Sequence, residues 1–473
     1  MAAHALQFAT IEQLQPLLAK KKVSPVELAK LYLSRIERFD GRLNAFRTVT
    51  PERALADARG AENELFHGRC RGPVHGIPIA LKDNIRTRGI RTTAGSAILR
   101  DFIPDEDATV VRRLRRAGAV LLGKTNLHEF AYGITSENPH YGATHNPWSE
   151  ERISGGSSGG SAAATAAGLC VAALGTDTGG SIRIPAALCG IVGLKPTFGR
   201  VSVQGVFPLA PSFDHVGTLA RSVADAATLL AAIAGRDPQD PASVAAPRED
   251  LLRTLTRRTR KIRLGLPKEH FWTRLDPEVR RRAEAAVKDM VRQGAIVREI
   301  SLPTITSAVD AAATVALVEA RRVHERAGYF PARASEYAAD GRERLEQGGH
   351  VSAVEFLQAR EVLEVSKAEF EAALRHVDAI VTPTTPVSAP LIGAQSVWVG
   401  DAEESVRSAL VRLNRPGNFT GLPAISVPCG FTSEGLPVGL QLIGPAFGEA
   451  GIVAIAHRYE QAHGWSSSHP KLE

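Results

Sequence analysis

The chain has 473 residues, 44% of them hydrophobic and 23% charged, which is the balance of an ordinary globular protein able to bury a large core. Its 57 basic and 50 acidic residues leave a net charge of +7. The one dense basic run, residues 253–263 (RTLTRRTRKIR), holds no aromatic side chain to stack on a base, so it reads as a solvated face and nucleic acid is not expected as a partner.

The N-terminus, MAAHALQFATIEQ, has no basic region followed by an apolar one and does not read as a secretory signal. Thr10 with Gln13, and Ser24-Pro25 with Glu27, form two capping-box patterns, so the first 65 residues read as helices. Residues 76–81 (GIPIAL) read as a short buried strand, and 107–117 as an amphipathic helix that Gly118 stops. Strands are expected at 119–122, 171–174 and 190–194, and a capped helix at 222–235. Residues 236–262, rich in Pro, Asp and Arg, read as a surface connection. Beyond it the spacing predicts a strand at 262–266, a helix from Asp276-Pro277 to Gln293, and a strand at 295–300. A mostly helical stretch over about 305–375 follows, then strands at 379–382, 424–427 and 438–443. Strands alternating with helices predict an α/β fold, a sheet covered by helices on both faces. The length admits two to four domains. The strand style is the same on both sides of the connection, so one large domain over residues 1–473 with a helical lobe at about 270–375 is expected.

No apolar run approaches the roughly 20 residues of a membrane span. The four cysteines, Cys70, Cys170, Cys189 and Cys429, lie far apart without a metal-binding spacing, and three sit in apolar or glycine-rich surroundings. Buried thiols point to a reducing compartment, and a cytoplasmic protein with no metal and no cofactor is expected.

Three motif matches compete. Residues 118–125, GAVLLGKT, fit a phosphate-loop pattern, but a helix precedes them and AVLL reads as a strand, where that loop needs a flexible body after a strand. Residues 156–160, GSSGG, fit a nucleophile elbow with Ser158 as the attacking group, but the preceding NPWSEERIS is polar and turn-like, and His215 has no supporting context. The third candidate joins Lys82, at the end of GIPIAL, to Ser157 in GGSSGGS and Ser181 in TDTGGS. Singly each has a bland reading as a surface charge or a turn residue. Together they supply amide hydrolysis with its parts: a serine hydroxyl, a lysine that burial could keep neutral as base, and loop amides to hold an oxyanion. The glycines of residues 155–161 sit too close to packed segments for a linker and suit a tight fold against the second loop.

The run GGSSGGSAAATAAGLCVAALGTDTGGSIRIPAALCGIVGLKPTFGRVS, with GIPIALKDN and GKTNLHEFAYG upstream, closely resembles the amidase signature family. The likeness is strong over about residues 73–235 and weaker over 378–445. It implies a large mixed sheet wrapped by helices, with Ser181 as nucleophile, Lys82 as base, and Ser157 as a bridging serine held by a cis peptide bond. It puts the oxyanion site on the amides of Thr178, Gly179, Gly180 and Ser181, with Ser158, Asp177 and Arg183 as braces. The implied substrate is a small-molecule carboxylic amide, with esters and carbamates open to the same acyl transfer. The glutaminase subunit of the tRNA-dependent amidotransferase belongs to the same family and typically shows Met-Asp-Glu-Phe-Ala-Met-Gly where this chain has LHEFAYG. That difference favours a free-standing amidase over a component of a complex, with a non-catalytic binding protein as a further alternative. Phe130, Tyr132 and the 305–375 region are candidates for an acyl pocket, with core packing as the plainer role of the two aromatics. The sequence does not give the oligomeric state, and a homodimer stands as one expectation.

Overall fold

A computed structural model of the chain describes residues 6–246, 250–255 and 261–472. Both capping boxes are closed. Thr10 Oγ1 accepts from the Gln13 amide and Gln13 Oε1 from the Thr10 amide, and Ser24 and Glu27 repeat the exchange. They start α1 (Ile11–Ala19) and α2 (Pro25–Leu43). Between α2 and α3 (Pro51–Phe66) lies a strand, β1 (Phe46–Val49), where the sequence reads as helix throughout. Four residues are too few to display an alternation. Pairing with a distant strand makes β1, down to the Thr50 amide donating to Leu122 O at 3.0 Å.

The remaining strands of the central sheet are β2 (Pro78–Lys82), β3 (Val120–Thr125), β4 (Ala172–Asp177), β5 (Val192–Lys195), β6 (His215–Ala220), β7 (Arg263–Pro267), β8 (Ile296–Ile300), β9 (Ala379–Pro383), β10 (Ala424–Phe431) and β11 (Pro437–Ile443). They form one 11-stranded sheet in the order β1-β3-β2-β4-β6-β5-β10-β11-β9-β7-β8. Parallel pairs lie around β2 and around β7, and the middle of the sheet is antiparallel, so the sheet is mixed. Every residue of β2, β3, β4, β5, β6 and β9 is buried, which requires cover on both faces and explains their continuous apolar runs. The edge strand β8 is mostly exposed.

The first covering helices are α4 (Thr109–Arg116) and α5 (Gly159–Ala166), and α5 is buried over its whole length. A Cβ on Gly160 would stand 2.4 Å from Ala45 O and 2.5 Å from Asn126 O, so only glycine lets α5 sit this deep. Gly155, Gly156 and Gly159 face similarly close neighbours, Pro185 for the first and Ser136 for the other two, which accounts for the glycines of the GGSSGGS stretch. Next come α6 (Arg183–Leu188), α7 (Val223–Ile233), capped by the Ser222 hydroxyl, and α8 (Pro277–Arg292), capped by the Asp276 carboxylate. The helical stretch resolves into α9 (Ile305–Arg326), α10 (Ala339–Gly348) and α11 (Ala353–Leu374). Ala308, Ala312 and Val315 of α9 share a buried cluster with Leu363 and Phe370 of α11. Then follow α12 (Val406–Arg412), α13 (Arg415–Phe419) and α14 (Glu449–His463).

Two readings are refined. The GKT of the phosphate-loop match is the end of β3, and Lys124 is buried against Asp83 Oδ1 at 3.1 Å, Ile85 O at 2.7 Å and Thr92 Oγ1 at 2.8 Å. The 236–262 connection is not wholly superficial. Asp237 is buried and accepts from Thr109 Oγ1 at 2.5 Å and Ser202 Oγ at 2.7 Å, and Asp240 accepts from the Val203 amide at 2.8 Å. These carboxylates tie the segment down, whereas composition alone suggests exposure. Part of the basic run, residues 256–260, lies outside the described residues, as does the start of the N-terminal segment. Cys170, Cys189 and Cys429 are buried free thiols and Cys70 is exposed. Among the described residues no helix is long and apolar enough to cross a membrane.

Candidate active site

The parallel neighbours β2 and β4 run side by side, Ile79 to Leu81 opposite Ala172 to Leu174, and deliver Lys82 and Asp177 at their carboxyl ends. That is where loops of an α/β sheet can gather around a ligand. Residues 178–182 connect β4 to α6, and residues 154–158 lead into α5. The two loops touch, since the Ser158 amide donates to Ser181 O at 3.2 Å.

Lys82 is fully buried, and its Nζ donates to Ser157 Oγ at 2.7 Å and to Thr176 Oγ1 at 2.7 Å. Burial pushes its pKa down from 10.5 to about 7, against the opposite pull of Asp177 and Asp214. Neither carboxylate forms an ion pair with it, so their distant attraction does not restore the cost of charging the amine. The Gly156–Ser157 peptide bond is cis. Ser157 O accepts from the His128 amide and from Ser136 Oγ, both at 3.3 Å. Ser158 caps no elbow. Its Oγ donates to Thr176 O at 3.1 Å and accepts from the Thr176 amide at 3.3 Å, which ties the α5 loop to β4.

Asp177 and Arg183 shape the other loop. Asp177 Oδ1 accepts from the Gly180 amide at 2.8 Å, and Oδ2 from the Ile182 amide at 3.1 Å. Arg183 Nε and Nη2 grip the two carboxylate oxygens at 3.0 and 2.9 Å. Burial alone would raise the Asp177 pKa, but the Arg183 charge and hydrogen bonds outweigh it and hold the carboxyl well below its usual range. The Gly180 amide is therefore engaged inside the loop, which departs from the expectation that it faces an oxyanion. Among the described residues the amides of Thr178, Gly179 and Ser181 donate to no acceptor. A Cβ on Gly179 would meet nothing within 4 Å, so open space lies against that stretch of backbone.

Phe130 and Tyr132 belong to one buried cluster, but only Tyr132 also lines a cavity. The Phe130 ring packs in the core, 4.8 Å from the Phe207 ring and 4.6 Å from that of His324. Tyr132 lines a small cavity of about 40 Å³ beside Gly179 and Ser181, together with Ala312 and Ala316 of α9. His215, considered with the elbow, is buried with Nδ1 2.6 Å from Phe213 O, and burial holds its pKa well below the usual value. Sequence reasoning gave no role to Thr176, the second anchor of Lys82. Nor did it find the remote partners of Arg183: Asn414 O at 2.8 Å, Gln441 Oε1 at 2.6 Å and Asn418 Oδ1 at 2.7 Å. Thr176 stands inside TDTGGS and was legible by position, whereas the C-terminal partners, more than 200 residues away, carry no local signal. Among the described residues no three His, Cys, Asp or Glu side chains group to hold a metal ion.

Residues 27–453 match the model of a protein family described as Amidase. The chain belongs to that family. Its fold class agrees, for the family member solved as a peptide amidase in complex with the inhibitor chymostatin superposes with a TM-score of 0.85 at 34% identity over 98% of this chain and 99% of that one. A chain from an inhibitor-bound complex, described as a vestigial complex revealing the origins of an s-triazine catabolic enzyme, superposes at 0.92 with 34% identity over 96% and 99%. A glutamyl-tRNA(Gln) amidotransferase subunit of Thermosynechococcus vestitus is 42% identical over 98% of this chain and 99% of its own length. As an Amidase-family member the chain is a hydrolase of carbon–nitrogen amide bonds.

Proposed function

We propose that Ser181 is the nucleophile of a serine amidohydrolase and that Lys82 activates it through Ser157. The observation that carries this reading is the buried Lys82 amine, 2.7 Å from Ser157 Oγ and without an ion-pair partner among the described residues. Neutral Lys82 takes the Ser157 proton, Ser157 takes the Ser181 proton, and Ser181 Oγ forms a bond to the substrate carbonyl carbon. The oxyanion is held by the amides of Thr178, Gly179 and Ser181, while the Gly180 amide, Asp177 and Arg183 keep the loop in shape. The proton returns through Ser157 to the leaving nitrogen, the C–N bond breaks, and ammonia or an amine departs. Water then enters by the same relay and cleaves the acyl-enzyme. Ser158 braces the base side of the site through Thr176. No cofactor takes part, and the catalytic unit is a single amidase domain over residues 1–473.

Replacing Ser181 by Ala tests the reading. Turnover of any amide substrate is expected to vanish with the far-ultraviolet circular dichroism unchanged, and near-normal turnover in that variant would refute it. Covalent labelling of Ser181 by a fluorophosphonate separates this reading from a non-catalytic scaffold.

A second reading is supported by the 42% identity to a glutamyl-tRNA(Gln) amidotransferase component over nearly the full length of both chains. In it, the same chemistry releases ammonia from glutamine for a tRNA-dependent partner. Leu127–Gly133, LHEFAYG, is the sequence feature that favours the free-standing enzyme. Glutamine hydrolysis that appears only when the other amidotransferase components are added would establish the second reading, and amide hydrolysis by the isolated chain the first.

A further inference from the structure

The cavity beside Ser181 has an unusual lining for a space of about 40 Å³: Arg407 and Arg415 stand in its wall with Tyr132, Val411, Ala312 and Ala316. Among the described residues no Asp or Glu lines it. Arg407 forms no hydrogen bond or ion pair among the described residues, and its guanidinium lies 5.7 Å from the Tyr132 ring centroid. Among the described residues the Arg415 side chain makes one hydrogen bond, from Nη1 to Val309 O at 3.1 Å. Tyr132 is 4% exposed, and its buried hydroxyl has no hydrogen-bond partner among the described residues.

The acids around this wall do not meet the need. Asp340 is held by Arg344 Nη2 at 2.7 Å and faces His128 Nε2 at 3.1 Å, and Asp310 is exposed on α9. Burial, then the charges of Arg344 and Arg415, push the Arg407 pKa down to about 9. A guanidinium keeps its proton, so that shift expresses positive charge placed there without a matching anion. A buried hydroxyl without a partner, as at Tyr132, is uncommon in finished folds. Two guanidinium groups and a phenol around one small space form a donor set suited to a carboxylate. A second cavity of about 470 Å³ that shares Ala131, Thr178 and Leu209 with this one is also lined by Arg86 and Arg326. Its one lining acid, Asp214, already accepts from Thr178 Oγ1 at 2.6 Å and from the Leu209 amide at 2.8 Å.

We propose that this cavity binds a carboxylate carried by the acyl part of the substrate, which makes the substrate class the monoamides of short dicarboxylic acids. The proposal rests on the hydrolase reading above and narrows it. Ser181 Oγ bonds to the amide carbon while Arg407, Arg415 and the Tyr132 hydroxyl hold the distal carboxylate. The C–N bond breaks, ammonia leaves with the relayed proton, and water releases the dicarboxylate. Glutamine carries the same carboxylate beside an α-ammonium, and no acid in the lining answers that charge. Glutaramate, which is glutamine without its amino group, is therefore the better ligand of the two.

Binding to the S181A variant tests the proposal without turnover. Calorimetric titration compares glutaramate with pentanamide, which lacks the carboxylate, and with glutamine. Glutaramate is expected to bind about 10- to 100-fold tighter than pentanamide, as charge-assisted hydrogen bonds imply. Adding Arg407→Gln or Tyr132→Phe should shrink that ratio, and Arg407→Lys should restore part of it. Equal affinity for glutaramate and pentanamide overturns the proposal, as does inorganic phosphate or chloride displacing glutaramate at matched concentration. A wild-type enzyme that cleaves pentanamide as fast as glutaramate also overturns it while leaving the hydrolase reading intact. Failure of fluorophosphonate to label Ser181 overturns the hydrolase reading instead.

Discussion

Replacing Lys82 by Met should inactivate the enzyme and, at neutral pH, make it more stable. The side chain is fully buried, with two hydroxyls for company and no ion pair among the described residues. Its pKa falls from 10.5 in an ordinary lysine to about 7. At about 1.4 kcal/mol per pH unit, the folded state at pH 7 carries a penalty of about 5 kcal/mol for this amine. Methionine fills similar space without that penalty, but leaves Ser157 and Thr176 short of a donor, which offsets about 2 kcal/mol. Lys82→Met should therefore gain about 3 kcal/mol at pH 7. Between about pH 7 and 10.5 the unfolded chain holds a proton on this lysine that the folded chain does not, so wild-type stability rises with pH across that window. Below pH 7 both states bind the proton and the penalty is complete. The advantage of the variant should consequently shrink by about 3 kcal/mol between pH 7 and 9.5. Urea unfolding of both proteins at the two pH values reads the difference directly. A variant less stable than wild type at pH 7, or an advantage that does not change with pH, would refute the reasoning.

Arg183→Met removes the partner of a buried carboxylate and leaves Asn414 O, Gln441 Oε1 and Asn418 Oδ1 each without that donor. A loss of about 3–5 kcal/mol is expected in urea unfolding, with activity falling in parallel. Gly160→Ala presses a methyl group against Ala45 O and Asn126 O, both backbone atoms, and should cost about 1–3 kcal/mol in thermal unfolding. A variant as stable as wild type would mean that α5 can retreat from β3.

What the sequence made legible was local. Ser24-Pro25 with Glu27, or Asp276 before Pro277, declares a helix start with four residues, and the structure closes both caps as written. Lys82 ends an apolar run in the sequence and ends β2 in the fold. The glycines of residues 155–160 signal close backbone approach, and Gly160 meets Ala45 and Asn126 as such a signal requires. What stayed hidden depends on pairing across long separations. β1 exists because β3 is beside it, and four residues cannot announce that. The Gly180 amide looks as available as its neighbours until Asp177 Oδ1 takes it. Phe130 and Tyr132 share one buried cluster, and only the fold sets Tyr132 against the cavity wall as well. Arg407 and Arg415 have no role legible in the sequence, because nothing local shows that α12 and α13 turn them toward Ser181.

The central claim is that a neutral Lys82 makes Ser181 nucleophilic, and the rate of Ser181 labelling by a fluorophosphonate as a function of pH tests it most directly. The account predicts a rate that climbs about tenfold per pH unit up to about pH 7 and then levels, with Lys82→Met labelled at least about 100-fold more slowly. A rate that is the same from pH 5 to 9, or a Lys82→Met protein labelled as fast as wild type, would contradict it.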